Sequence, residues 1–199
     1  MRDAENIRAV AATQPDFMGF IFYDKSPRYV GADFKIPDDF PDSVFRVGVF
    51  VNEKTEEILR LAKSCRLDYL QLHGTESVAQ TQELNDAGLK IIKVFSVGEG
   101  FDFTITTEYH PYCDYFLFDT KGKYFGGNAK TFDWSLLKSY DQKTPFFLSG
   151  GISPENIGKI NDLAGLNLFA LDVNSGVEVS PGVKNLENIK KIIKSVSLL

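Results

Sequence analysis

The chain has 199 residues and a formal net charge of −5; 43% of the residues are hydrophobic and 25% are charged, the balance of an ordinary globular domain. The Lys and Arg residues are scattered, and no basic block offers the charge density that binding to a phosphate backbone requires. The longest apolar runs fall far short of the roughly 20 residues that span a bilayer, and the first residues lack the apolar core of a secretory signal. We therefore expect a cytoplasmic protein with no nucleic-acid or membrane partner.

The chain contains two cysteines, Cys65 and Cys113, and two histidines, His73 and His110. Two cysteines are too few for a disulfide framework, which indicates a reducing compartment. Neither cysteine lies at a convincing metal-ligand spacing from a histidine, so the sequence predicts no metal site.

Helical and strand-like segments alternate from the start of the chain. Asp3 is a candidate N-cap for a helix at 3–12, and residues 55–66 and 185–197 each place apolar side chains on one face. Another helix is predicted after Ser153, with Pro154 in its first position. Helical character is weak at 33–42 and 101–110.

Seven short apolar runs predict buried strands. They lack the apolar–polar alternation of a one-sided antiparallel sheet, and continuous runs are typical of parallel strands that helices cover. The predicted strands are 16–22, 45–51, 68–73, 90–97, 114–119, 145–150 and 168–173.

The sequence contains seven predicted strands but up to eight predicted helix positions, and its first predicted element is a helix. A parallel βα array should open on a strand. The sequence is therefore consistent with a single (β/α)8 barrel domain over 1–199 whose first strand is missing, so that seven strands are visible. A doubly wound open sheet that begins with a helix is the alternative.

In a (β/α)8 barrel, catalytic groups lie at the carboxyl ends of the strands. Asp119 ends a wholly apolar run, where partial loss of water favours the protonated carboxyl group that a general acid needs. A helix cap or an ion-pair partner is the alternative role for Asp119. The candidates chosen by this rule are Arg28, Asn52, His73, Asp119, Gly150, Gly151, Asp172, Ser175 and Gly176.

Small-residue loops follow the last two predicted strands. Gly150 and Gly151 follow one strand, and Ser175 and Gly176 follow the next. Glycine lets the backbone approach a ligand closely, and barrels often bind phosphate at these two loops. The alternative is a pair of tight turns.

Arg28 and His73 each allow two interpretations. The planar guanidinium of Arg28 could bind a carboxylate, or the residue could be a solvated loop arginine. His73 could carry a proton or could be structural. The glycine-rich basic segment 121–130 could close over a ligand as a lid, or could simply be a flexible loop.

Strings along the whole chain resemble the motifs of the phosphoribosylanthranilate isomerase family, in that family's order and spacing. They are MGFIFYDKSPRYV (18–30), FRVGVFVNE (45–53), LQLHGTES (70–77), FLFDT (116–120), GG with KTFDWSLL (126–137), LSGGISPENI (148–157) and LDVNSGVEVSPGVK (171–184).

The resemblance implies a cofactor-free and metal-free Amadori rearrangement in tryptophan biosynthesis. Its substrate is N-(5′-phosphoribosyl)anthranilate and its product is 1-(2-carboxyphenylamino)-1-deoxyribulose 5-phosphate. The resemblance makes Asp119 the general acid, with Arg28, His73 and Asp172 at the substrate. It assigns the phosphate to the two loops that contain Gly150, Gly151, Ser175 and Gly176. Monomer and homodimer both remain open.

The sequence departs from the family pattern in two places. In the predicted lid, Asn128-Ala129 stands where Ser or Thr followed by Gly is usual. The family's first strand resembles Lys-Ile-Cys-Gly-Met and its cysteine is the general base, whereas Met1 matches a position just after that Cys-Gly pair. Cys65 and Cys113 are expected to be structural and not replacements for the base. We therefore expect lowered stability and little turnover from the chain as given.

Two other functions are weighed against the isomerase. One is another barrel enzyme that acts on a phosphosugar, although the contexts of Arg28 and Asp119 argue against it. The other is a barrel that binds a phosphate ligand without catalysis.

Overall fold

The computed structural model describes residues 1–120 and 132–196. The predicted lid at 121–130 lies outside these ranges. Within them, no helix combines the length and the apolar character that crossing a membrane requires.

Seven parallel strands form one sheet in which every strand pairs with the strand that precedes it in sequence. All seven predicted strands are confirmed, with ends that differ by at most two residues. The strands are β1 (Phe17–Ile21), β2 (Phe45–Phe50), β3 (Tyr69–Leu72), β4 (Lys90–Val97), β5 (Tyr115–Thr120), β6 (Phe146–Leu148) and β7 (Leu168–Leu171).

The sheet curls until its first and last strands approach each other. The ring centroids of Phe17 on β1 and Phe169 on β7 are 6.3 Å apart. In an open sheet with this strand order, β1 and β7 would lie at opposite edges. The curl excludes the doubly wound alternative and confirms a (β/α)8-type barrel with seven strands visible. Among the described residues, β1 and β7 do not pair with each other.

Side chains on the two faces of the sheet form two separate clusters. A small cluster of inward-facing residues fills the barrel, and a larger one packs between the sheet and the surrounding helices. Because both faces are buried, the strand sequences are continuously apolar, as parallel strands require. The inner cluster contains Val47, Tyr69, Ile92, Val94, Leu117 and Phe147.

Four α-helices surround the barrel in the described residues: α1 (Ala4–Ala11), α2 (Thr55–Ser64), α3 (Val78–Asp86) and α4 (Leu186–Val196). The predicted N-cap of α1 is confirmed, since Asp3 Oδ1 accepts a hydrogen bond from Asn6 N at 2.7 Å. Segments of 3₁₀ helix at Phe103–Tyr112 and Trp134–Ser139 occupy other connections.

The prediction of an α-helix that begins at Pro154 is wrong in both the type of helix and its first residue. The segment is a 3₁₀ helix, Ile157–Leu163, and Asn156 stands at its N-cap position. Asn156 Oδ1 accepts a hydrogen bond from Ser153 N at 2.9 Å, and Asn156 Nδ2 donates to Gly151 O at 2.8 Å. Asn156 therefore ties this segment back to the glycine loop, and Ser153 forms a turn in place of a cap.

A short antiparallel hairpin after β7 was not predicted. It joins β8 (Glu178–Ser180) to β9 (Val183–Lys184). Lys184 N donates to Asn6 Oδ1 at 2.9 Å, and Asn6 Nδ2 donates to Lys184 O at 3.0 Å, so the hairpin is fixed to α1.

Candidate active site

One cavity of about 450 Å³ opens at the carboxyl ends of the strands and extends between β1 and β7. Two of the predicted site residues that line it, Arg28 and Gly176, are 148 positions apart in sequence (176 − 28). The lining includes every residue that was predicted for the acid, the substrate contacts and the phosphate loops: Arg28, His73, Asp119, Gly150, Gly151, Asp172, Ser175 and Gly176.

Asp119 and His73 face each other across this cavity. Asp119 lies on β5, is 4% exposed, and accepts a hydrogen bond from Thr120 N through Oδ1 at 2.8 Å. Its Oδ2 lies 3.3 Å from His73 Nε2, but the two groups are not aligned as a hydrogen bond. Gln71 Nε2 lies 3.0 Å from His73 Nδ1. Because an amide nitrogen can only donate, Nδ1 accepts, and the proton of a neutral His73 ring lies on Nε2, toward Asp119.

Asp172, just after β7, is a second carboxyl group in the same cavity. Its Oδ2 accepts a hydrogen bond from Ser149 Oγ at 3.1 Å. Desolvation by burial, with the negative charge of Asp119, raises the pKa of this carboxyl group above the usual value. His73 and Lys184 act in the opposite direction. The site therefore holds two carboxyl groups in unequal environments.

Arg28 is fixed by Glu178 of the hairpin. Arg28 Nε lies 2.9 Å from both carboxylate oxygens of Glu178, and Nη2 lies 2.6 Å from Oε2. Burial of Glu178 acts to raise its pKa, but the Arg28 hydrogen bond and the Lys184 charge outweigh it, and the pKa is lowered. The guanidinium is therefore held in one orientation and not left as a solvated loop side chain.

Lys184 adds a second cation beside this pair. Its Nζ donates to Asn174 Oδ1 at 2.6 Å and to Glu178 Oε1 at 3.1 Å. Burial lowers the pKa of Lys184, although Glu178 acts against the shift. The two cations, Arg28 and Lys184, share one carboxylate and give this side of the cavity positive charge.

The glycine loops are close-packed. Gly150 has φ +92°, and a Cβ there would collide with Thr120 Oγ1 and Thr120 N. A Cβ on Gly176 would collide with Ile152 O, so the loops after β6 and β7 pack directly against each other. Neither position accepts a larger residue without movement.

Sequence reasoning missed Gln71, Glu178 and Lys184. A polar residue inside the apolar run 68–73 could have singled out Gln71. Glu178 and Lys184 lie within the string VEVSPGVK, but nothing local to them points toward Arg28, 150 positions earlier in the case of Glu178. Asn52, proposed from its place after β2, does not line the cavity; its Oδ1 instead accepts from Thr75 N at 2.7 Å.

Both cysteines are free thiols outside the cavity lining. Cys65 is buried at the end of α2, and burial raises the pKa of Cys113 to about 12. A thiol with that pKa is protonated near neutral pH and is a poor base. In residues 1–120 and 132–196, no three His, Cys, Asp or Glu side chains gather as metal ligands.

Residues 1–195 match the profile of a family described as N-(5′-phosphoribosyl)anthranilate (PRA) isomerase. The chain belongs to the PRA isomerase family. It is 42% identical over 199 residues to the PRA isomerase of Parabacteroides distasonis, an alignment that covers 98% of this chain and 90% of the relative. The function predicted from the sequence is thus confirmed: it is that of a phosphoribosylanthranilate isomerase, an enzyme of tryptophan biosynthesis.

Solved structures of PRA isomerases share the fold. The enzyme from Thermotoga maritima superposes with a TM-score of 0.85 at 36% identity, and the match covers 100% of this chain and 96% of that one. A second PRA isomerase structure, in complex with reduced 1-(o-carboxyphenylamino)-1-deoxyribulose 5-phosphate, matches with a TM-score of 0.81 at 33% identity and the same coverage. The fold and the family therefore agree.

Proposed function

We propose that the chain performs the PRA isomerase reaction as an internal oxidation–reduction of aldose-to-ketose type, with Asp119 as the general acid. The observation that carries this proposal is the convergence of Asp119, Arg28 and the two glycine loops on one cavity. In this Amadori rearrangement the substrate carries its own oxidant and reductant, so that proton transfers alone complete the chemistry.

Asp119 is assigned to open the ribose ring. It donates a proton to the ring oxygen as the C1′–oxygen bond breaks, and the anthranilate nitrogen supplies electrons to form a Schiff base. The placement of Asp119 at the end of β5, 4% exposed, supports this role. His73, whose Nε2 lies 3.3 Å from Asp119 Oδ2, is assigned to hold the substrate in position beside Asp119.

A base must then remove the C2′ proton, after which the enolamine tautomerises to the keto product. The family resemblance assigns this step to a cysteine on a strand between β1 and β7, and the cavity extends into that space. Cys65 and Cys113 lie outside the cavity lining, which argues against either as the base. Asp172 is assigned to order the site.

The positively charged side of the cavity can attract the two anionic groups of the substrate, which are the anthranilate carboxylate and the phosphate. Glu178 engages Nε and Nη2 of Arg28, so the Nη1 side of that guanidinium can donate to the anthranilate carboxylate. Backbone N–H groups of Gly151, Ser175 and Gly176 are assigned to the phosphate. The close packing of these loops supports a preformed anion site.

The assignment of Asp119 is tested with Asp119→Asn in a protein preceded by a Lys-Ile-Cys-Gly strand, because little turnover is expected without the base, and turnover is measured by loss of substrate fluorescence. We expect kcat to fall about 10²–10⁴-fold with a small change in KM, because the amide cannot donate a proton as an acid does. Asp86→Asn, an exposed position at the end of α3, is the matched control and should keep the parent kcat. If Asp119→Asn kept the activity of the parent protein, Asp119 would not be the general acid.

The assignment of the base is tested by comparing the chain as given with one preceded by a Lys-Ile-Cys-Gly strand. We expect the extended protein to be faster by about 10²–10⁴-fold. Equal activity would place the base within the present residues. Inactivity of both folded proteins would instead favour a barrel that binds a phosphate ligand without catalysis.

Residues 1–199 are proposed to act as one barrel domain in the cytoplasm, as a monomer or a homodimer. The two free cysteines support a reducing compartment. A PRA isomerase from Thermotoga maritima is described as dimeric, with monomers generated from it, and this supports a homodimer for the present chain.

A further inference from the structure

A buried ion pair lies behind the loop that carries His73. Lys93 Nζ on β4 and Glu76 Oε2 are 2.9 Å apart, and the two residues are 3% and 2% exposed. Neither residue lines the cavity, so neither is expected to touch the substrate.

The pair binds the backbone on both sides of His73. Lys93 Nζ donates to Leu72 O at 3.1 Å and to Gly74 O at 2.9 Å, the carbonyl groups of the residues immediately before and after His73. Glu76 accepts from Gly74 N through both oxygens, at 3.1 and 3.0 Å. The main chain before His73 is therefore held by Lys93, and the main chain after it is held by both Lys93 and Glu76.

The same carboxylate connects this loop to the neighbouring strand. Glu76 Oε1 accepts from Asn52 N, just after β2, at 2.8 Å. A Cβ on Gly74 would collide with Asn52 Oδ1, so the two loops pack directly against each other. Tyr109 OH donates to Glu76 O at 3.0 Å and closes the outer side.

Stability alone does not account for this arrangement. Desolvation of two buried charges offsets most of their attraction, and apolar pairs of similar size are often at least as stable. We propose that Glu76 and Lys93 are positioning residues that set the imidazole of His73 against Asp119 for the isomerisation. This inference rests on the proposed function of Asp119.

The test uses the full chain labelled with ¹⁵N and the variant E76Q/K93M, which removes both charges with little change in volume. The first readout is the ¹⁵N chemical shifts of the His73 ring, which report its tautomer and hydrogen bonds. We expect the wild type to hold one tautomer, with the proton on Nε2, and the variant to shift toward an exchanging mixture. His110 is the internal standard, because its Nδ1 lies 2.7 Å from Thr144 Oγ1 and outside this network.

The second readout is turnover, measured in proteins preceded by a Lys-Ile-Cys-Gly strand so that the general base is present. We expect kcat of E76Q/K93M to fall about ten- to a hundredfold, the scale of a misplaced group of ~1 Å, with KM changed by less than about threefold. R46M is the matched control: it removes a partly buried ion pair with Asp68 at the amino-terminal ends of the strands. It should alter neither the His73 signals nor kcat beyond its effect on the folded fraction.

Unchanged His73 signals in E76Q/K93M, or equal changes in R46M, would overturn the proposal. If E76Q/K93M does not fold, E76Q alone replaces it and should shift His73 in the same direction, and unchanged His73 signals in E76Q would then overturn the proposal. Failure of the folded parent to turn over the substrate even with a Lys-Ile-Cys-Gly strand added would contradict the proposed function, while the His73 signals would still decide whether the pair positions this side chain.

Discussion

At the scale of single residues, Asp172 is a carboxyl group whose ionisation opposes folding. Desolvation by burial and the charge of Asp119 raise its pKa in the folded state above the usual value of 3.8. A group with a raised folded pKa favours the fold while it is protonated, and this stabilisation is lost as the pH rises through that pKa. At neutral pH the ionised form of Asp172 therefore favours unfolding.

We predict that Asp172→Asn raises Tm while it lowers turnover. Near pH 7–8 the increase should be about 2–4 °C, the shift produced by ~1 kcal/mol in a domain of this size. The difference should shrink as the pH falls toward 3.8, where the unfolded group also protonates. Thermal melts over a pH series measure this dependence. A lower Tm for Asp172→Asn at pH 8 would contradict the reasoning.

The residues of the site differ in how far the sequence could identify them. Asp119 and Gly150 follow apolar strands, and the barrel rule places such positions at the mouth. Glu178 could not be assigned to Arg28, because their contact depends on how a short hairpin folds over the end of β1. Local patterns indicate which chemical groups are near a strand end, whereas pairing between distant groups is set by the assembled barrel.

At the scale of elements, the α-helices differ in how their first turns are capped. Asp3 and Ser77 accept hydrogen bonds from Asn6 N and Gln80 N at the starts of α1 and α3. Lys54 occupies the same position in α2 and provides no side-chain cap. The first turn of α2 therefore lacks a side-chain acceptor that α1 and α3 have.

We predict that Lys54→Ser stabilises the chain by about 0.5–1 kcal/mol, because a serine hydroxyl can accept from a free N–H group of the first turn. Urea denaturation measures the change as a higher midpoint at constant slope. Lys63→Ser, in the last turn of the same helix, is the control and should be neutral or slightly destabilising, since it removes a cation from the negative end. A lower midpoint for Lys54→Ser would contradict the capping argument.

Strand prediction succeeded because buried parallel strands are apolar on both faces, a pattern that is visible in the sequence alone. Helix type was less accessible. The segment after Ser153 has the composition of an α-helix, but Asn156 bonds back to Gly151 and the segment forms 3₁₀ turns. The hairpin of β8 and β9, with three and two residues, is too short for any periodicity to appear.

At the scale of the whole molecule, aromatic rings gather at the amino-terminal end of the barrel, opposite Asp119. Tyr115 lies among four of them, with ring centroids 4.5–6.4 Å away. The six rings of this cluster belong to Phe17, Phe45, Tyr69, Tyr115, Phe147 and Phe169. Most barrels place stability at this end and chemistry at the other.

We predict that Tyr115→Leu lowers the free energy of unfolding by about 1–3 kcal/mol and leaves KM unchanged, because it removes ring contacts far from the cavity mouth. Chemical denaturation and steady-state kinetics on the same preparation separate the two effects. Tyr112→Leu is the control, because no aromatic ring among the described residues contacts Tyr112. A rise in KM with unchanged stability would contradict this division of the barrel.

The sequence by itself determined the seven strands, the family and eight of the residues that line the cavity, because apolar runs, strand ends and motif order are local properties of the chain. Only the tertiary structure decided that β1 and β7 curl toward each other, that Glu178 fixes Arg28 and that Lys93 holds the peptides around His73. Those contacts join residues 19 to 152 positions apart, from Gly74–Lys93 to Phe17–Phe169 (93 − 74 and 169 − 17). Their physical reason lies in the curl of the sheet, which brings distant strand ends together.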